Sequence, residues 1–173
     1  MAILKVPVTS RDHTKGPLDA PVILVEYGDY ECPFCGMAYP QVNEVIEYFG
    51  DNLCFAFRNF PLNEAHPNAE LAAETAEFAD RYGKFWEMHD ALYENQERLS
   101  LALMYELAED LQLPVKELKD ALETRELEAK VKADFMGGVR SGVNGTPCFF
   151  INGVRYNGSF EAEALILAIN AAK

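Results

Sequence analysis

Positive charge is what this chain lacks most. Its 173 residues include 15 Lys and Arg against 28 Asp and Glu, a formal net charge of −13. Non-specific nucleic-acid binding draws its affinity from cations that neutralise phosphates, so the deficit argues against it. Docking on an anionic membrane surface is disfavoured for the same reason. Long apolar runs are also missing. Lys5 and Pro7 interrupt the N-terminal "MAILKVPVTS" almost at once, whereas a secretory leader needs about 7–15 uninterrupted apolar residues. No other stretch approaches the ~20 residues of a membrane span. The expectation is a cytoplasmic protein, or a periplasmic or extracellular one if a leader has been removed.

Cysteine is scarce too, with residues at 32, 35, 54 and 148 only. A chain of this length buries about 70% of its unfolded surface, so it needs no crosslink or metal to fold and the cysteines are free for chemistry. A tetrahedral zinc site would need two ligands beyond the 32/35 pair. Cys54, Cys148, His13, His66 and His89 are singletons without ligand spacing, so neither metal nor separable cofactor is expected.

What is present falls into two patterns. "VILVEYG" (22–28) opens with four apolar residues, three of them β-branched, as in a strand buried on both faces. Pro33 stands where a helix tolerates proline best, and Val42, Val45, Ile46 and Phe49 follow at helical spacing until Gly50. "LCFAFRNF" (53–60) reads as a second strand. From Pro67 to about Val139 the periodicity is helical, with stripes such as Ala69, Ala72, Ala76 and Leu103, Leu107, Leu111, and breaks near Gly83, Ser100 and Pro114. "CFFINGVRY" (148–156) carries the Asn-Gly signal of a β-hairpin, and a last amphipathic helix spans 161–172. The order is βαβ, helical insertion, ββα.

The pair in "ECPFCGMAYP" lies at the junction of the first strand and first helix. A Cys-x-x-Cys there can be a crosslink, half a metal site or a redox dithiol. The redox reading has physical support, because a helix N-terminus stabilises a thiolate and the spacing places a second thiol nearly one turn on.

This layout, with "VEYGDYECPFC" and "GTPCFFINGVRYNG" about 110 residues apart, resembles the DsbA-like family of thioredoxin-fold thiol–disulfide oxidoreductases. The resemblance implies an α/β thioredoxin fold, a mixed central sheet flanked by helices, with an inserted all-helical subdomain. Residues 1–61 form the first half, 62–140 the insertion and 141–173 the second half. It also implies that Cys32 is the nucleophile, Cys35 the resolving cysteine and Pro147 a cis-proline facing them. Thr146 would present its backbone to an extended substrate, and Glu26 would be a buried acid relaying protons. Tyr30, Pro33, Phe34 and Phe149 would line an apolar substrate groove.

The implied partners are cysteine-containing proteins or peptides and a recycling partner: glutathione, a reductase or, after export, a membrane oxidase. A monomer is expected. Where the family's oxidases have His in the second intervening position, this chain has Phe34. Glu26, Asp29 and Glu31 place three carboxylates within six residues of Cys32. Both features are expected to raise the Cys32 thiol relative to that of a strong oxidase. The expected potential therefore lies between roughly −120 and −270 mV, nearer the reducing end. Cys148, directly after Pro147, reads as a small strand hydrophobe or as a third thiol competing for Cys32, and Cys54 reads as structural. The rival readings are a glutathione-transferase-like relative, an exported oxidase and a non-catalytic redox-sensing module.

Overall fold

The computed structural model describes residues 1–173. Five strands, β1 (His13–Lys15), β2 (Val22–Gly28), β3 (Leu53–Asn59), β4 (Cys148–Ile151) and β5 (Val154–Tyr156), form one sheet in the order β1-β3-β2-β4-β5. β2 and β3 run parallel and the other pairings are antiparallel. Parallel neighbours need a crossover, and α1 (Pro33–Phe49) supplies it. Gly50 ends α1 at φ 52°, a backbone region that favours glycine. The β4–β5 turn has φ 47° at Asn152 and 81° at Gly153, the signature of a type I′ hairpin. After it, α7 (Ala162–Ala171) returns to pack on α1.

Between β3 and β4 lie five helices: α2 (Ala69–Asp80), α3 (Phe85–Glu94), α4 (Leu101–Asp110), α5 (Val115–Glu123) and α6 (Glu128–Arg140). Ser100 caps α4 by accepting a hydrogen bond from Leu103 N at 3.1 Å. The larger of two cores joins this insertion to the sheet face that carries Leu24, Phe55, Phe57 and Phe149. The smaller core covers the opposite face with Val25, Tyr27, Ala56, Cys148 and Phe150. Period-two alternation along each strand produces that division.

β1 is not expected from the sequence, in which the first strand signal is the run at 22–28. Three residues are too few to show a period. The strand exists because β3 offers an edge and because His13 stacks on Phe85 with ring centroids 3.5 Å apart. The His13 ring also bonds the Glu77 carboxylate at 2.7 Å. Glu77 in turn holds Lys130 at 3.2 Å and Asn59 at 3.3 Å, so one buried polar cluster links sheet, α2 and α6.

Candidate active site

Cys32 is the N-cap of α1 and Pro33 its first residue, so the chain leaves β2 through Asp29-Tyr30-Glu31 directly into the reactive pair. Cys32 is 4% exposed and Cys35 fully buried beneath it, both as free thiols. The Thr146–Pro147 peptide bond is cis. Cys32 Sγ lies 3.5 Å from the Thr146 carbonyl, so the loop before β4 faces the helix N-terminus.

The two thiols ionise in opposite senses. Cys32 is drawn down to about 5, first by its hydrogen bond from Cys35, against the opposing effect of burial. The Thr146 side chain and the backbone N–H groups of Cys35 and Phe34 help. Cys35 is pushed well above the usual thiol range by burial and by having its proton committed to Cys32. The Thr146 hydroxyl is buried with no geometrically ideal partner of its own, which leaves it available to a sulfur anion.

The carboxylates of the acidic flank are engaged by other groups or neutral. Asp29 is buried, and its carboxylate is occupied by the N–H groups of Glu31 and Leu62 and by His66 Nδ1, at 2.8, 2.9 and 2.7 Å. Glu31 turns to Asn68 N at 3.3 Å. Glu26 does lie under the pair, 3% exposed on β2 between Phe57 and Phe149. Burial, and then the Cys32 thiolate, lift its carboxyl to about 8, so it is mostly neutral at pH 7. Nearness in sequence was a poor guide to charge at the sulfur.

The expected groove residues separate into two groups. Pro33 and Phe34 are exposed beside Cys32, Phe34 at 59%. Tyr30 and Phe149 are buried. The Tyr30 hydroxyl and His89 Nδ1 share a hydrogen bond at 2.8 Å and Tyr30 packs on Phe57 and Tyr93, while Phe149 is paired with Glu26 in the sheet. Local sequence could not decide this, because an aromatic beside a cysteine suits a groove or a core equally. Sequence reasoning missed Met37, which is 58% exposed three residues after Phe34. The i, i+3 spacing on a helix was the signal available.

Cys54 and Cys148 lie on the sheet face away from Cys32. Cys54 is opposite Ile23 and Cys148 opposite Tyr27, four residues apart along β2. That is about 13 Å of strand, too far for a disulfide. Burial raises both thiols.

A mixed sheet in this order, with a dithiol at the first crossover helix and a proline loop facing it, defines a thioredoxin-fold protein. The family model described as Thioredoxin matches residues 9–171, and the chain belongs to that family. In three dimensions it is similar to oxidised BdbD from Bacillus subtilis, with a TM-score of 0.86, 22% identity, and 99% and 97% of the two chains covered. It is also similar to alpha-DsbA1 of Wolbachia pipientis, with a TM-score of 0.84, 19% identity, and 98% and 94% covered. Its fold is therefore DsbA-like. In sequence it is 45% identical over 170 residues to a protein named Na(+)/H(+) antiporter NhaA 1 from Salinispora arenicola, covering 98% of this chain and 26% of that protein. A like-named protein from Mycobacterium sp. (strain KMS) is 40% identical over 165 residues, covering 94% and 27%. The chain thus spans about a quarter of the length of the curated relatives it matches. No helix of this chain is long and apolar enough to cross a membrane.

Proposed function

We propose that this chain is a protein thiol–disulfide oxidoreductase working through Cys32 and Cys35. The observation that carries the reading is geometric: two free thiols three residues apart at a helix start, Cys35 buried beneath Cys32 and the Thr146–Pro147 loop against the outer sulfur, an arrangement that draws the Cys32 thiol down and pushes the Cys35 thiol up. In reduction of a client, the Cys32 thiolate attacks one sulfur of the client disulfide. A mixed disulfide forms and the first client sulfur leaves as a thiolate. Cys35 then loses its proton and attacks the Cys32 sulfur, releasing the second client thiolate and closing Cys32–Cys35. The client gains the two electrons that the pair loses.

Glu26 suits the proton step because its state follows the cycle. The Cys32 thiolate is one cause of its raised pKa. Forming the mixed disulfide removes that charge, and the carboxyl becomes easier to ionise when Cys35 needs a base. The reverse direction returns the proton from Glu26 to the departing Cys35 thiolate. Pro33, Phe34 and Met37 present an apolar surface beside the nucleophile, and the Thr146 backbone offers an edge to an extended client.

A thiol near 5 favours the reduced form of the pair. The poise therefore lies on the oxidising side of thioredoxin. For the antiporter-named relatives, the reading makes the matched quarter a redox region and leaves transport to the remainder of their length.

The test is the equilibrium of Cys32–Cys35 in graded glutathione buffers, followed by mass after alkylation, with Cys54 and Cys148 changed to Ser. A potential at or below about −250 mV overturns the oxidising poise. Absence of turnover in insulin reduction overturns the enzyme.

A further inference from the structure

Gln96 opens the short helical turn Gln96–Arg98 between α3 and α4, more than sixty residues from the cysteines in sequence. Its side chain reaches the reactive loop. Gln96 Nε2 donates to the Cys32 carbonyl at 2.8 Å and to the Tyr30 carbonyl at 2.9 Å. Both partners are acceptors only, so the amide is oriented by chemistry, with its nitrogen toward the loop. One amide therefore pins the backbone on both sides of Glu31, immediately before the nucleophile.

A second observation points to the same contact from the other side. Gly36 sits in the first turn of α1, where glycine costs about 1 kcal/mol relative to alanine. A Cβ at Gly36 would meet Gln96 Oε1 at 2.1 Å and Cδ at 2.8 Å. The missing side chain makes the space in which the amide lies. A local rule broken in this way marks a site where another requirement prevails.

We propose that Gln96 is a positioning residue for Cys32, and that through it the helical insertion holds the nucleophile against the Thr146 loop. The inference rests on Cys32 as nucleophile, but its readout is the thiolate and not turnover. With the backbone pinned, the Cys35 thiol, the Phe34 and Cys35 N–H groups and Thr146 converge on one sulfur position. Released, the sulfur samples positions where fewer of them reach it, and the thiolate loses stabilisation.

The experiment follows iodoacetamide alkylation of Cys32 in the reduced protein across pH, with the modified position read by peptide mass. Gln96→Ala is expected to raise the midpoint by about half to one pH unit. Gly36→Ala, which improves helix propensity and leaves Gln96 in place, is expected to raise it by a similar amount by displacing the amide. The double variant should show no more than the larger single shift, because both changes break one contact. Gln96→Glu, which loses the donors and adds a charge, should move it furthest. Unmoved midpoints, with or without a drop in Tm, overturn the proposal, and so do fully additive shifts. A wild-type midpoint near 5 without disulfide turnover would overturn the enzyme reading alone, and the same variants would still decide the role of Gln96.

Discussion

The four cysteines form two groups on opposite sides of one sheet. Cys32 and Cys35 sit at the start of α1, and Cys54 and Cys148 lie within strands of the far face. All four are buried. Burial by itself raises a thiol, as it does at Cys35, Cys54 and Cys148. Cys32 departs from this only because donors converge on it: a neighbouring thiol, a hydroxyl and two helix N–H groups. Reactivity here is a matter of aim and not of exposure.

The contrast breaks most visibly at the nucleophile. Cys32→Ser is expected to reduce insulin-reduction turnover to background, while Cys54→Ser and Cys148→Ser retain it. Loss of activity in either far-face variant would place a third thiol in the cycle.

Next in size is the base. Glu26→Gln should slow resolution of a trapped mixed disulfide by about a hundredfold at pH 7 and abolish an inflection in its stopped-flow pH profile that lies below pH 8, because the Cys32 thiolate that helps raise Glu26 is absent from the mixed disulfide. Retention of that inflection would assign it to another group.

Stability should follow the same two groups through pH. The folded pKa of Cys32 is depressed from 9.0 to about 5, so the reduced fold gains stability as pH rises from 5 to 9 and loses it as pH falls through that window. The gain is roughly 3 kcal/mol at pH 7. Glu26, raised from 4.5 to about 8, acts in the opposite sense: its contribution is intact below pH 4.5 and is lost as pH rises through 8. Oxidation removes the Cys32 contribution and leaves a buried carboxyl. The melting temperature of the reduced form relative to the oxidised form should therefore climb between pH 5 and 9. A pH-independent difference would contradict the low thiol pKa.

Smaller still is Thr146→Val. Removing the hydroxyl while keeping the shape should raise the Cys32 alkylation midpoint by several tenths of a pH unit. Smallest is Cys54→Ala, which should cost about 1 kcal/mol in urea unfolding and leave that midpoint unmoved.

Much of the fold was legible in the chain. The β-branched run at 22–25, the Pro33 start and Gly50 stop of α1, the helical stripes of the insertion and the Asn152-Gly153 turn are local signals, and local physics decides them. The reactive pair was legible because its spacing and its place at a helix start are also local. β1 was not, since a three-residue strand exists only through its partner β3. Exposure beside the pair was half legible: Phe34 and Pro33 stay outside, but Tyr30 and Phe149 are drawn into the core by His89, Tyr93 and the sheet, contacts made by distant segments.

By itself, then, the sequence determined the order of elements, the helix that bears the dithiol and the proline loop paired with it. Tertiary structure alone decided the charge around the sulfur. It turned Asp29 and Glu31 to backbone N–H groups, neutralised Glu26 by burial and brought Gln96 and Thr146 to Cys32 from far along the chain. The reason is physical. Helix and strand signals act over a few residues, whereas a pKa responds to solvent exclusion and to every dipole within several ångströms, whichever part of the chain supplies it.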